Sequence, residues 1–135
     1  MDAALDLTIQ NDLQQVSYVA ERLAPLLESW KVAPRTAYRT QLVIEEVLSN
    51  VVRHGFPDGG QHEISVRVAH DGEHIAICVQ DDGVAFDPSG ASTVDVDQPL
   101  EQRRVGGLGI HLVRQFVEHL EYQRLAGRND LKLRL

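Results

Sequence analysis

In the stretch EEVLSNVVRHG, Glu45 to Gly55, the polar residues Glu46, Asn50 and His54 recur every four positions among apolar neighbours and so share one helix face. A carboxylate one turn before a neutral amide suits phosphoryl chemistry. Asn50 can offer a carbonyl oxygen to a hard cation such as Mg2+, and Glu46 can act as general base toward a nucleophile beside phosphates. On residue types alone, a solvated helix face is the commoner use of such a row. His54 reads as structural, near a helix C-terminus where a partly charged imidazole is favourable.

A second constellation is DDGVAFDP, Asp81 to Pro88. A carboxylate fixed at a strand end beside a glycine turn can accept a hydrogen bond from an exocyclic amine such as that of adenine. Asp81, two residues before Gly83, is better placed for this than Asp82. Phe86 reads locally as an apolar anchor for the turn, and a plain turn leaving a sheet edge is the alternative for the whole motif. The third constellation is GGLGIHLVRQF, from Gly106. Glycines there leave backbone N–H groups pointing outward at a helix N-terminus, where phosphate binds well; a tight turn into the helix accounts for them equally. The Lys and Ser or Thr of a P-loop are absent, and GGLG does not fit the GxGxxG dinucleotide fingerprint. Arg103 and Arg104 lie just upstream, either touching a terminal phosphate or exposed on a loop.

The elements that must position these groups follow from periodicity. Leu5, Leu7 and Ile9 alternate with polar residues as in a strand. Asn11 or Asp12 caps a helix toward Trp30, with Val16, Val19, Leu23 and Leu26 or Leu27 on its buried stripe. Pro34 suits the first turn of a second helix, which runs through the opening stretch and ends at Gly55 as a left-handed C-cap. Ile64, Val66, Val68 and then Ile75, Ile77, Val79 form two alternating runs about Asp71-Gly72, a two-residue hairpin signal. Residues 88–105 show neither period, as in a functional lid or a disordered segment. A last helix follows, with Ile110, Val113, Phe116, Val117 and Leu120 spaced for one buried face. A terminal hairpin runs from Glu121 to Leu125 and from Leu131 to Leu135, turning through Gly127-Arg128-Asn129-Asp130. The predicted fold class is α+β: a two-layer sandwich whose mixed, mainly antiparallel sheet is covered on one face by about three helices.

The chain has 135 residues, which suits a single domain with one core, residues 1–135, and one site. With 43% apolar and 24% charged residues, its composition is that of a folded protein without a membrane span. The acidic start MDAALDLTIQ lacks the basic region of a signal peptide. The single cysteine, Cys78, excludes an internal disulfide and thiolate metal clusters and fits a cytoplasmic setting. A net charge of −7 argues against broad nucleic-acid binding.

In this order, the three motifs resemble those of the Bergerat-fold, or GHKL, ATP-binding superfamily. Glu46-Val-Leu-Ser-Asn50 looks like its N box, Asp81-Asp-Gly83-Val-Ala-Phe86 like its first glycine box, and Gly106-Gly107-Leu108-Gly109 like its second. The N-box glutamate, the following His54-Gly55 and the closing RLAGRNDLKLRL look most like the anti-sigma-factor serine/threonine protein kinases. No helical segment bearing a phosphorylated histidine fits before Pro34.

The resemblance implies ATP and Mg2+ as cofactors, with Glu46 activating a protein hydroxyl and Asn50 holding the metal. Asp81 would read the adenine amine, with Gly83 and Phe86 beside it. Gly106, Gly107, Leu108, Gly109 and Ile110 would hold phosphates, with Arg104 added from an ATP lid at 88–105. It implies partner switching between a sigma factor or other regulator and a phosphorylated STAS-type antagonist, without direct nucleic-acid or membrane binding. The alternative is a catalytically silent nucleotide-binding module that only sequesters a partner. The family commonly dimerises, and an exposed apolar sheet face with a short N-terminal edge strand would permit a homodimer. One departure stands out: Ala85 replaces the second glycine of the DxGxGF pattern, so the turn must take a conformation open to alanine or bind nucleotide less well.

Overall fold

A computed structural model describes residues 4–85 and 107–135, with the backbone alone at 107–110. Strand β1 (Ala4–Gln10) leads to α1 (Leu13–Ser29), α2 (Pro34–His54), β2 (Glu63–His70) and β3 (Ile75–Asp81). After residue 106 come α3 (Gly107–Phe116), β4 (His119–Leu125) and β5 (Arg128–Arg134). The five strands form one sheet in the order β1-β2-β3-β5-β4. All four pairings are antiparallel, so the sheet is not mixed.

Helix α1 begins where the sequence places it. Of the two capping candidates, Asp12 is the cap, accepting the Gln14 N–H at 2.9 Å. Asn11 instead ties β1 to the approach of β2: its Oδ1 accepts from His62 N at 2.9 Å and its Nδ2 donates to Gly60 O at 2.9 Å. Val16, Val19, Leu23 and Leu27 are the buried stripe of α1, and Leu26 packs at its margin. Helix α2 opens on Pro34 and buries Val43, Ile44, Val47 and Leu48 in the same layer. Opposite them lie Leu5 and Ile9 of β1, Ile64, Val66 and Val68 of β2, Ile75, Ile77 and Val79 of β3, and Leu131 and Leu133 of β5. Removing each such aliphatic side chain from water stabilises the fold by about 1.5–3 kcal/mol, which makes this shared layer the main source of cohesion. Arg39 of α2 lies over the Phe116 ring of α3, 5.0 Å from its centroid.

Several local expectations are corrected. Gly55 is right-handed (φ −78°, ψ −22°), not a left-handed cap. Glycine is needed there for space, because a Cβ would stand 2.6 Å from the Val51 carbonyl oxygen. The β2–β3 connection is a four-residue loop rather than a two-residue turn, since His70 pairs with Ile75. Its start is fixed by Asp71 Oδ1, which accepts the Glu73 and His74 N–H groups at 2.9 and 2.6 Å. The last hairpin turns at Ala126 (φ 54°) and Gly127 (φ 77°), which moves Arg128, Asn129 and Asp130 into β5. Leu120 belongs to β4 instead of the preceding helix.

The uncovered face of the sheet is polar, not apolar. It presents Ser65, Arg67, Cys78, Gln80, Asp130 and Lys132, which are adjacent in register across β2, β3 and β5. Cys78 donates to Asp130 Oδ1 at 3.4 Å, and burial, then that bond, pushes its thiol pKa to about 11. An apolar sheet face for dimerisation is therefore absent among the described residues. No described helix is long and apolar enough to cross a membrane.

Candidate functional site

Two of the three sequence motifs meet at the ends of α2 and β3. Asp81, the last residue of β3, is only 4% exposed. Its Oδ1 accepts the Gly83 N–H at 2.8 Å and Asn129 Nδ2–H at 3.0 Å. The chain turns so closely there that a Cβ on Gly83 would stand 2.5 Å from the Gly55 carbonyl oxygen. That oxygen accepts the Val84 N–H at 2.8 Å. The HG pair ending α2 and the DDG turn ending β3 are thus fastened backbone to backbone, and the missing side chain of Gly83 permits the approach.

Beside this junction is a cleft. Val47, Asn50 and Val51 of α2 form one wall, Val79, Asp81 and Val84 another, and Tyr122, Asn129 and Leu131 of the last hairpin the third, with His54 and Gly55 at the end of α2. An apolar lining with a few buried polar groups suits a flat heteroaromatic ring carrying a polar edge. Asn50 is 6% exposed, and its Nδ2 donates to the Glu46 carbonyl at 2.8 Å. A carbonyl only accepts, so the amide nitrogen must face it and the amide oxygen remains for other partners. Glu46 is half-buried one turn earlier and does not line the cleft.

The remaining expected residues divide by what the structure describes. Gly107, Leu108, Gly109 and Ile110 form the first turn of α3, as the glycine-rich motif predicts. Phe86, Arg103, Arg104, Gly106 and the 88–105 lid lie outside the described residues. Ala85 is exposed and is not among the described non-glycine residues with positive φ, which are Lys31 and Ala126.

Sequence reading missed the hairpin's contribution. Asn129 Nδ2 donates to Val84 O at 2.9 Å as well as to Asp81, while its Oδ1 accepts from Tyr122 Oη and from Arg124 Nη1 at 2.9 Å. Arg124 Nη1 also donates to Gly83 O at 2.9 Å. Asn129 had the appearance of a turn residue, and only its pairing opposite Asp81 reveals the role.

A second cluster braces the same turn from outside. His62 Nε2 lies 2.9 Å from Asp58 Oδ2, its Nδ1 lies 3.1 Å from Asp82 Oδ1, and its ring stacks on Phe56 with centroids 4.4 Å apart. The hydrogen bond to Asp58 raises the His62 pKa above its usual 6.5. The Gly60 N–H, then His62, lower that of Asp58.

A five-stranded antiparallel sheet under three helices among the described residues, with a buried Asn on α2 and a buried Asp at a strand end facing one cleft, is an arrangement of the GHKL-type fold. The chain belongs to the histidine kinase-like ATPase domain family, which matches residues 9–135. It is 31% identical over 116 residues to the serine/threonine-protein kinase BtrW of Bordetella bronchiseptica, covering 86% of this chain and 80% of that protein. It is 26% identical over 91 residues to the serine-protein kinase RsbW of Halalkalibacterium halodurans, covering 64% of this chain and 55% of the relative. The fold is similar to that in the crystal structure of the RsbU and RsbW domains of Rv1364c from Mycobacterium tuberculosis. That match has a TM-score of 0.66 and 16% identity, and covers 98% of this chain and 32% of the other.

Proposed function

We propose that this chain is an ATP-dependent serine/threonine protein kinase that works by partner switching, binding a sigma factor or similar regulator and phosphorylating a STAS-type antagonist. The observation that carries the reading is the convergence of Asn50 and Asp81, buried on different elements, on the walls of one apolar cleft. The kinase names of its relatives support the direction of the chemistry.

The residues present fit ATP with Mg2+. Asp81 accepts the adenine amine in an apolar slot beside Gly83, and the resemblance adds Phe86 to this set. Asn50, its amide nitrogen held by Glu46 O, would give its oxygen to the metal. The described residues hold no cluster of three or more acidic, His or Cys side chains suited to a metal. When bound, the metal neutralises phosphate charge. Gly107, Leu108, Gly109 and Ile110 offer the amides of the first turn of α3 to the phosphates, and the resemblance adds Gly106 and Arg104 to that set. Glu46 takes the proton of the attacking hydroxyl. Positioning and charge neutralisation are most of what phosphoryl transfer requires.

A silent nucleotide-binding module that only sequesters its partner is the second reading, favoured by the position of Glu46 outside the cleft lining. Calorimetric titration with ATP and ADP, with and without Mg2+, tests the site. Saturable, Mg2+-dependent binding that Asp81→Asn removes is the expected result, and no binding at millimolar nucleotide overturns it. Glu46→Gln then separates the two readings: a kinase loses phosphate transfer to protein and keeps ATP binding, whereas a silent module is unchanged.

A further inference from the structure

Asn129 of β5 stands directly opposite Asp81 of β3 and is 6% exposed. Its partners determine which way its amide faces. The Arg124 guanidinium can only donate, so the oxygen must meet it, and Asp81 Oδ1 and the Val84 carbonyl call for the nitrogen. The consequence falls on Asp81. Its Oδ1 receives both Gly83 N–H and Asn129 Nδ2–H, which stops the carboxylate from rotating. No described residue donates to its Oδ2.

We infer that Asn129, clamped by Tyr122 and Arg124, is a positioning residue that holds Asp81 so that one oxygen meets the 6-amino group of a purine, and thereby sets the preference for adenine. The inference rests on the nucleotide-binding reading above and deepens it. Without the clamp the carboxylate rotates, its two oxygens share the donors, and the amino group loses a fixed acceptor. The apolar walls that hold the ring and the amides that hold phosphates are unchanged.

The test compares ATP with purine riboside triphosphate, the same nucleotide lacking the 6-amino group, as Mg2+ salts in calorimetric titrations. A hydrogen bond to a carboxylate predicts that the wild-type chain prefers ATP by about tenfold or more. In Asn129→Asp, which keeps the shape and removes the N–H donors, that ratio falls toward one. Arg124→Met, at an exposed side chain outside the cleft, lowers the ratio in the same direction by a smaller factor and decides the matter if the first variant does not fold. A merely structural role would weaken both nucleotides equally and leave the ratio intact, and that result overturns the inference while sparing the proposed function. A wild-type chain that binds both nucleotides equally refutes adenine reading by Asp81, and the inference with it.

Discussion

Gly83→Ala is the sharpest perturbation the structure offers. The added methyl would stand 2.5 Å from the Gly55 carbonyl oxygen and 2.9 Å from Asp81 Oδ1, distances that real Cβ contacts essentially never show. Neither neighbour yields freely. The Gly55 oxygen is held by the Val84 N–H at 2.8 Å, and Asp81 Oδ1 carries bonds from Gly83 and Asn129. The two backbones must part by at least about 0.5 Å, which costs about 1–3 kcal/mol as overpacking and about 1 kcal/mol for the weakened Val84 bond. A loss of about 2–4 kcal/mol follows, equivalent to about 8–16 °C in melting temperature for a domain of this size. Gly60→Ala is the control, because its Cβ would meet nothing closer than 3.5 Å, and it changes stability by less than about 0.5 kcal/mol. Urea unfolding followed by circular dichroism measures both. If Gly83→Ala unfolds within 0.5 kcal/mol of the parent, the fastening of α2 to β3 through these glycines is wrong.

Two further expectations concern the hairpin and the outer brace. Ala126 occupies the first position of a turn in which both central residues have positive φ, so Ala126→Asn, giving Asn-Gly, raises stability by about 0.5–1 kcal/mol; an unchanged or lower urea midpoint would refute this. The brace at His62 is pH-dependent in a defined window. The raised His62 pKa makes its contribution complete below 6.5 and lost as pH climbs through the folded value. The lowered Asp58 pKa makes its contribution complete above 3.8 and lost as pH falls through its folded value. Between pH 6 and pH 9 the stability advantage of the parent over His62→Gln therefore shrinks, and an advantage of equal size at both values would show that the imidazolium is not what binds Asp58 and Asp82.

Much of the candidate site was legible because its motifs are local. The four-residue spacing of Glu46 and Asn50 on a helix, the aspartate before a strand-end glycine, and the glycines opening a helix are all properties of a few consecutive residues. The Asp12 cap and the alternation of β1, β2 and β3 were readable for the same reason, since each periodicity reports which face of one element is apolar. Asn129 was not legible. By type it belongs in a turn, and its actual neighbour is 48 residues away. The open sheet face was misjudged likewise, because its polarity depends on which strands lie side by side.

The sequence by itself determined the elements, their buried faces and the chemical groups the chain could offer, because these follow from residue type and spacing within a single helix or strand. Tertiary structure decided that β5 inserts between β3 and β4, and with that it decided who faces Asp81. Strand order and register are set by the fit of whole elements against one another. The roles of Gly55, Gly83 and Asn129, one imposed by a close approach within the end of α2 and two by groups distant in the chain, could become visible only in the folded molecule.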